Sequence, residues 1–324
     1  MAAGVALFYS LGLESLRGIR MEQVVTNAQK RAPRHEEGTL EGWQQGGKWF
    51  KYEGHAIFSR MAGQGEPLVL VHGFPTASWD WSRVWPMLTQ QYSVLTLDML
   101  GFGFSDKPVG YPYSIEDQAD LIQGWIEGLG LHSVHLLAHD YGCSVTQELL
   151  ARELEGSLPF TIASVCFLNG ALFPEVHHPL LIQKLLSSPL GGLISRGLSR
   201  RTFERNFRRL FGSQNPPDQA DMENFWHLLT YNNGRGILHH LIQFMEERRC
   251  HRNRWVQALQ NARQPMRLIS GTADPVSGAA MARRYRELIA APDVVSLRNI
   301  GHYPHFECPW EVFGAYREFR KRVD

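Results

Sequence analysis

Cysteine is scarce in this 324-residue chain. The four, Cys143, Cys166, Cys250 and Cys308, stand far apart, and none forms a C-x-x-C pair. That excludes a disulfide scaffold and predicts reduced thiols in a reducing compartment. Charge of one sign is also missing, since 33 Lys and Arg face 32 Asp and Glu. A general nucleic-acid binder needs a net basic face, so nucleic acid is not an expected partner. A membrane-spanning helix requires roughly 20 apolar residues in a row. The apolar stretch at 2–13 falls short, broken by Gly4, Ser10 and Gly12 and ended by Glu14. No basic segment precedes it, which also disfavours a secretory signal. It reads as a short amphipathic extension of a cytoplasmic protein. The alternative is peripheral membrane association, at the endoplasmic reticulum if the chain is vertebrate-like. One more absence matters below: the serine motif G-x-S-x-G occurs nowhere.

What is present is ordinary globular composition, 44% hydrophobic and 20% charged. Residues 1–47 read as an N-terminal extension whose later part is a polar, loosely packed lead-in. From Lys48 onward short aliphatic runs alternate with helical patterns. The runs fall at 55–60, 67–71, 93–97, 133–137, 163–168, 266–269 and 294–297. Several are almost continuously apolar, as strands covered on both faces must be. Helices are predicted at 114–129, 143–155, 277–290 and 310–322, the first opening on a Ser114-x-x-Asp117 cap. This alternation predicts an α/β protein with a mostly parallel, doubly wound sheet. It breaks between 172 and 261, where Leu, Arg and His recur at helical spacing. That segment is read as a helical cap inserted into a core formed by 48–171 and 262–324. An insertion after a strand's C-terminal end falls over the ligand crevice.

The chemistry centres on Leu136-Leu137-Ala138-His139-Asp140-Tyr141-Gly142. An apolar strand runs into a small-x-acid-x-small turn and then a helix, the context of a nucleophile elbow. Asp140 holds the place where serine is usual. A carboxylate with an ordinary pKa near ~3.9 is ionised at pH 7 and needs no base to attack. It suits displacement at saturated carbon, which leaves an ester on Asp140 that water must then cleave. His302, after the strand at 294–297, is the expected base for that water. Asp274, in Gly271-Thr272-Ala273-Asp274-Pro275, is the acidic residue best placed to orient it. The order nucleophile, acid, base is that of α/β-hydrolases. The backbone amides of Phe74 and Tyr141 are the expected oxyanion donors. No cofactor is called for. His177-His178, His239-His240 and His302-x-x-His305 lack acidic or Cys partners at zinc spacing, so no metal is expected. Gly101-Phe102-Gly103 lacks the third glycine of a dinucleotide fingerprint.

The sequence resembles the α/β-hydrolase superfamily, on the branch of epoxide hydrolases and haloalkane dehalogenases. The likeness covers roughly 42–321. It is carried by HGFPTASWDW at 72–81, LDMLGFGFSDKP at 97–108, HDYGCSVTQELL at 139–150, FPEVHHPLLIQKLL at 173–186 and GHYP at 301–304. Within that branch these stretches resemble the mesoderm-specific transcript family and its bacterial relatives. The resemblance implies an α/β-hydrolase fold, the roles given above to Asp140, His302, Asp274, Phe74 and Tyr141, and a cis bond before Pro75. Cys143 departs from it, standing where close relatives carry an acidic residue.

The leaving group divides the branch. Halide sites use an Asn or Trp side chain beside the oxyanion loop and a Trp after the nucleophile. Phe74 and Tyr141 stand at those positions and lack such donors. Epoxide opening needs a proton donor, for which Tyr231 is the candidate as the single cap tyrosine. Trp79, Trp226 and Trp255 are candidate pocket walls. The expected activity is therefore hydrolysis of an epoxide in a small apolar substrate. Dehalogenation and a non-catalytic ligand receptor are the alternatives, and oligomeric state is left open. The basic run of Arg196, Arg200, Arg201, Arg205, Arg208 and Arg209 reads as a solvated helix face.

Overall fold

The aliphatic runs form β1 (Lys48–Tyr52), β2 (His55–Ala62), β3 (Pro67–Val71), β4 (Ser93–Leu97), β5 (Ser133–His139), β6 (Thr161–Leu168), β7 (Met266–Gly271) and β8 (Asp293–Leu297). They pair into one sheet in the order β1-β2-β4-β3-β5-β6-β7-β8. β2 runs antiparallel to both neighbours, and every pair from β4 to β8 is parallel. The computed structural model describes residues 38–213 and 215–323, so the apolar stretch at 2–13 lies outside the described residues. Those that are described belong to one compact unit. None of their helices is long and apolar enough to cross a membrane.

The central strands are buried on both faces, with Leu68–Val71 on β3 and Leu136–Ala138 on β5 all shielded from solvent. Helices α1 (Leu40–Gln45), α2 (Trp85–Leu88), α3 (Ile115–Gly128) and α4 (Tyr141–Leu154) precede β6. The Ser114 hydroxyl caps α3 by accepting the Asp117 N–H at 3.0 Å. Between β6 and β7 the described residues contain no strand. They form α5 (Leu181–Leu186), α6 (Gly191–Gly197), α7 (Arg200–Phe207), α8 (Gln219–Thr230), α9 (Leu238–Leu241), α10 (Phe244–Cys250) and α11 (Arg252–Asn261). The chain ends with α12 (Ala279–Leu288), α13 (Pro304–Glu307) and α14 (Pro309–Val323).

The lead-in is better packed than expected at its end. Trp43 on α1 is fully buried and donates its indole N–H to Ser78 Oγ at 3.1 Å. The Arg60 guanidinium lies 4.5 Å over its ring. One large aromatic side chain thus anchors a segment whose composition reads as a loop. Strand β1 was not expected either. Two of its five residues are lysines and most are exposed, as on an edge strand.

Candidate active site

Strand β5 delivers Asp140 to a sharp turn before α4, with φ 44° and ψ −105°. A non-glycine residue held at positive φ is strained, and such strain concentrates at functional sites. The turn closes because Gly142 has no side chain. A Cβ there would stand 2.3 Å from the Val71 carbonyl oxygen. Asp140 Oδ2 accepts the Phe74 N–H at 3.2 Å. The Phe74–Pro75 bond is cis. The Tyr141 amide donates to no acceptor among the described residues.

His302 follows β8. Its backbone N–H donates to the Leu210 carbonyl at 2.7 Å, which ties it to the inserted helices. Its Nδ1 donates to Asp274 Oδ2 at 2.8 Å. This leaves Nε2 facing Asp140 Oδ2 at 3.9 Å. Asp274 is held by three further donors: Asn169 Nδ2 at 2.8 Å, Ser277 Oγ at 2.8 Å and the Val276 N–H at 2.7 Å. A carboxylate with that many donors stays ionised and fixes the ring's orientation.

Burial by itself raises a carboxylate, yet His302 and the Arg248 guanidinium outweigh it and hold Asp140 well below the usual range. Burial works against the charged form of His302 as well. Asp274 and Asp140 overcome it and push the imidazole up to about 10. The resting centre is therefore an imidazolium between two carboxylates.

Sequence reasoning missed three residues here. Arg248, on α10, is buried and donates from Nη2 to the Asp140 carbonyl at 3.1 Å and from Nε to Ser144 Oγ at 2.7 Å. Its Glu-Glu-Arg-Arg context gives the pattern of a solvated face, so no local signal marks it. Asn169, in the left-handed region at φ 38°, positions Asp274. His177, in the turn after β6, lies within electrostatic reach of Arg248 and Asp140. Burial and that guanidinium push it down to about 3, so it is neutral.

A pocket of about 70 Å³ is lined in part by Phe74 and His302, whose backbone N–H and Nε2 respectively face Asp140 Oδ2. Its walls are apolar, among them Leu180, Ile182, Leu186 and Phe207, and its polar members are Gln183, Asn206 and His302. The aromatic residues expected to line it are not among them. Tyr231 packs edge-on against Phe104 at 5.3 Å, with Lys107 Nζ 5.4 Å over its ring. Trp79 packs between Phe225 and Phe306 at 5.1 and 5.6 Å. Trp226 lines a separate open groove with Leu40 and Thr230. The Trp255 indole N–H bonds Glu148 at 2.8 Å. Tyr231, Trp79 and Trp255 are thus taken up by packing or buried hydrogen bonding, the commoner fate of a large ring on an amphipathic helix, while Trp226 faces the second groove.

The fold also joins residues that no spacing linked. Asp80, His139 and His305 are buried, with one possible ligand atom from each lying within 4.8 Å of the others. His139 Nε2 donates to the His302 carbonyl at 2.8 Å, leaving Nδ1 without a partner. The Trp81 ring packs at a tilt against His305 at 4.3 Å, and Tyr303 does the same against His139 at 4.7 Å. Burial pushes Asp80 up and both histidines down.

A parallel sheet, an acid on a strained strand–helix turn and a carboxylate-held imidazole define a hydrolase-type scaffold. The chain belongs to the alpha/beta hydrolase family, whose sequence pattern matches residues 68–315. It is 40% identical over 294 residues to the mesoderm-specific transcript homolog protein of Bos taurus, covering 86% of this chain and 87% of that protein. It is also 40% identical over 268 residues to the putative hydrolase LipZ of Mycobacterium tuberculosis, covering 82% of this chain and 93% of its relative. Among solved structures, haloalkane dehalogenase DbeA from Bradyrhizobium elkani superposes with a TM-score of 0.74 at 19% identity, over 86% of this chain and 98% of that one.

Proposed function

We propose that the protein is a hydrolase that attacks saturated carbon with Asp140 and passes through a covalent alkyl ester on that side chain. The carrying observation is Asp140 itself, a carboxylate on the elbow, bonded by the Phe74 amide and facing His302 Nε2 at 3.9 Å. In the first step a carboxylate oxygen bonds to carbon and the carbon–leaving-group bond breaks. In the second, water attacks Cγ of the ester while His302 takes its proton. The tetrahedral oxyanion would rest on the amides of Phe74 and Tyr141, where one such donor contributes about 3 kcal/mol. Collapse frees the alcohol and leaves one solvent oxygen in Asp140.

The charges supply a timing device. In the resting centre two carboxylates hold His302 protonated, so it is no base. Esterification neutralises Asp140 and removes one of them. The pKa of His302 then falls, its proton passes to the departing group or to solvent, and the imidazole is free for the water step.

The reading for the leaving group is an epoxide opened to a diol. Dehalogenation has one specific support: the pocket carries the amides of Gln183 and Asn206. An amide N–H holds a leaving halide by hydrogen bonding and need not surrender its proton. The test is turnover of epoxides and haloalkanes in heavy-oxygen water, with mass analysis of the Asp140 peptide. Label in that side chain is expected. Turnover without label would overturn the ester. If Asp140→Ala leaves ligand binding and cellular output unchanged across inactive panels, the receptor reading replaces it.

A further inference from the structure

Four leucines face solvent on two consecutive, mutually packed helices. Leu181 (72% exposed) and Leu185 (41%) lie one turn apart on α5, and Leu190 (62%) and Leu193 (69%) stand at the start of α6. They are four of the ten large apolar side chains exposed among the described residues, and the other six are dispersed along the chain. Single exposed leucines need no explanation, whereas a concentration of them marks an interaction surface. These helices have already buried another apolar face, since Ile182, Leu186 and Leu198 line the pocket.

Charge decides what covers the outer face. Lys184 on α5 and Arg196 on α6 are exposed and form no ion pair among the described residues. Arg201 and Arg205, on α7, and Arg209 beyond it are also exposed and in no ion pair among them. The one acid between 180 and 210, Glu204, pairs with Arg200 at 2.6 Å. Leucines flanked by unneutralised cations, on a chain of net charge +1, match the boundary between acyl chains and anionic headgroups. A second copy of the same face would set like charges against each other. A nucleic acid would have no use for the leucines.

We propose that the α5–α6 face docks on an anionic lipid surface, its leucines entering the headgroup–acyl boundary and its Lys and Arg side chains facing lipid phosphates. Docking would bring α5, one wall of the apolar pocket, against a reservoir of lipophilic molecules. It does not depend on the chemistry at Asp140.

The test is sedimentation of the full chain with vesicles of phosphatidylcholine and phosphatidylserine, against phosphatidylcholine alone. Binding is expected with the anionic vesicles. Leu190→Asp with Leu193→Asp is expected to weaken it by more than about tenfold, because each leucine loses its apolar burial. Lys184→Gln with Arg196→Gln is expected to weaken it about fivefold per charge. Neither pair lines the pocket, so hydrolysis of a water-soluble substrate stays unchanged in both, which also reports that they fold. Absence of wild-type binding, or equal binding by both variants, would overturn the proposal. So would a wild-type dimer that the leucine variant converts to monomer without any vesicle binding, which points to a second copy as the occupant.

Discussion

Arg248 Nη2 stands 3.5 Å from Asp140 Oδ1 and 3.1 Å from the Asp140 carbonyl, linking α10 to the nucleophile elbow. The guanidinium rests on the Phe244 ring at 4.4 Å and anchors to Ser144 on the first turns of α4. The position of the inserted helices and the charge state of Asp140 are therefore coupled through one side chain. Without it, a buried carboxylate would drift toward its neutral form.

Arg248→Met is expected to raise the pKa of Asp140 and move the acid limb of the pH–rate profile upward. Removing one partner of a buried pair also costs about 3–5 kcal/mol of stability, measurable by denaturant unfolding. An unmoved acid limb in folded protein would show that Arg248 does not set the nucleophile's charge.

His302→Gln removes the base and leaves Arg248 as the charge beside Asp140. Turnover is expected to fall by about 10²–10⁴, the usual contribution of general-base catalysis. The alkyl ester should then accumulate and add the substrate's mass to the Asp140 peptide. Loss of activity with no adduct would place His302 before the first step.

Asp140→Asn removes one of the two charges that sustain the His302 imidazolium. Ring titration by NMR is expected to show its pKa falling from about 10. The sign for stability follows. A raised folded-state pKa gives a contribution fully present below the unfolded value near ~6.5 and lost as pH rises through the folded one. In the variant the contribution is smaller and is fully lost at a lower pH. A ring that still titrates near the wild-type value would remove the timing device.

Glu307 is buried and pushed up to about 7, although it accepts N–H groups from Gly212 at 2.7 Å, Gly301 at 2.9 Å and Tyr303 at 3.3 Å. The folded chain keeps this proton after the unfolded chain has released it. Stability from this group therefore falls as pH rises from its ordinary range to about 7, by up to about 3 kcal/mol. Glu307→Gln is expected to flatten that slope in unfolding measured across the window. A slope identical to wild type would assign the proton elsewhere.

Tyr231→Phe is expected to leave turnover within about twofold, since its ring belongs to the Phe104–Lys107 packing. A large loss of kcat would return its hydroxyl to the reaction.

The parts legible in the sequence are local. Ala138-x-Asp140-x-Gly142 after an apolar run encodes a strained turn because Gly142 alone fits under the Val71 carbonyl. The strands at 67–71 and 93–97 begin and end where their apolar runs do, since continuous burial leaves little choice. Helix 114–129 was readable from its Ser114 cap for the same local reason. The short, lysine-bearing β1 was not, because an edge strand needs only one neighbour and carries a weak pattern.

What the sequence by itself determined was the elbow and the order of acid and base around it, because each of those turns is set by residues within a few positions. Only the tertiary structure decided which side chains surround them. It gave Arg248 to Asp140, Asn169 to Asp274 and His139 to Asp80 and His305, turned Tyr231 and Trp79 into packing, and put Trp226 on a separate groove. The physical reason is that a helix face is chosen by how helices cross one another. A charge cluster or aromatic that is identical in sequence can point to solvent, core or pocket according to contacts formed a hundred residues away.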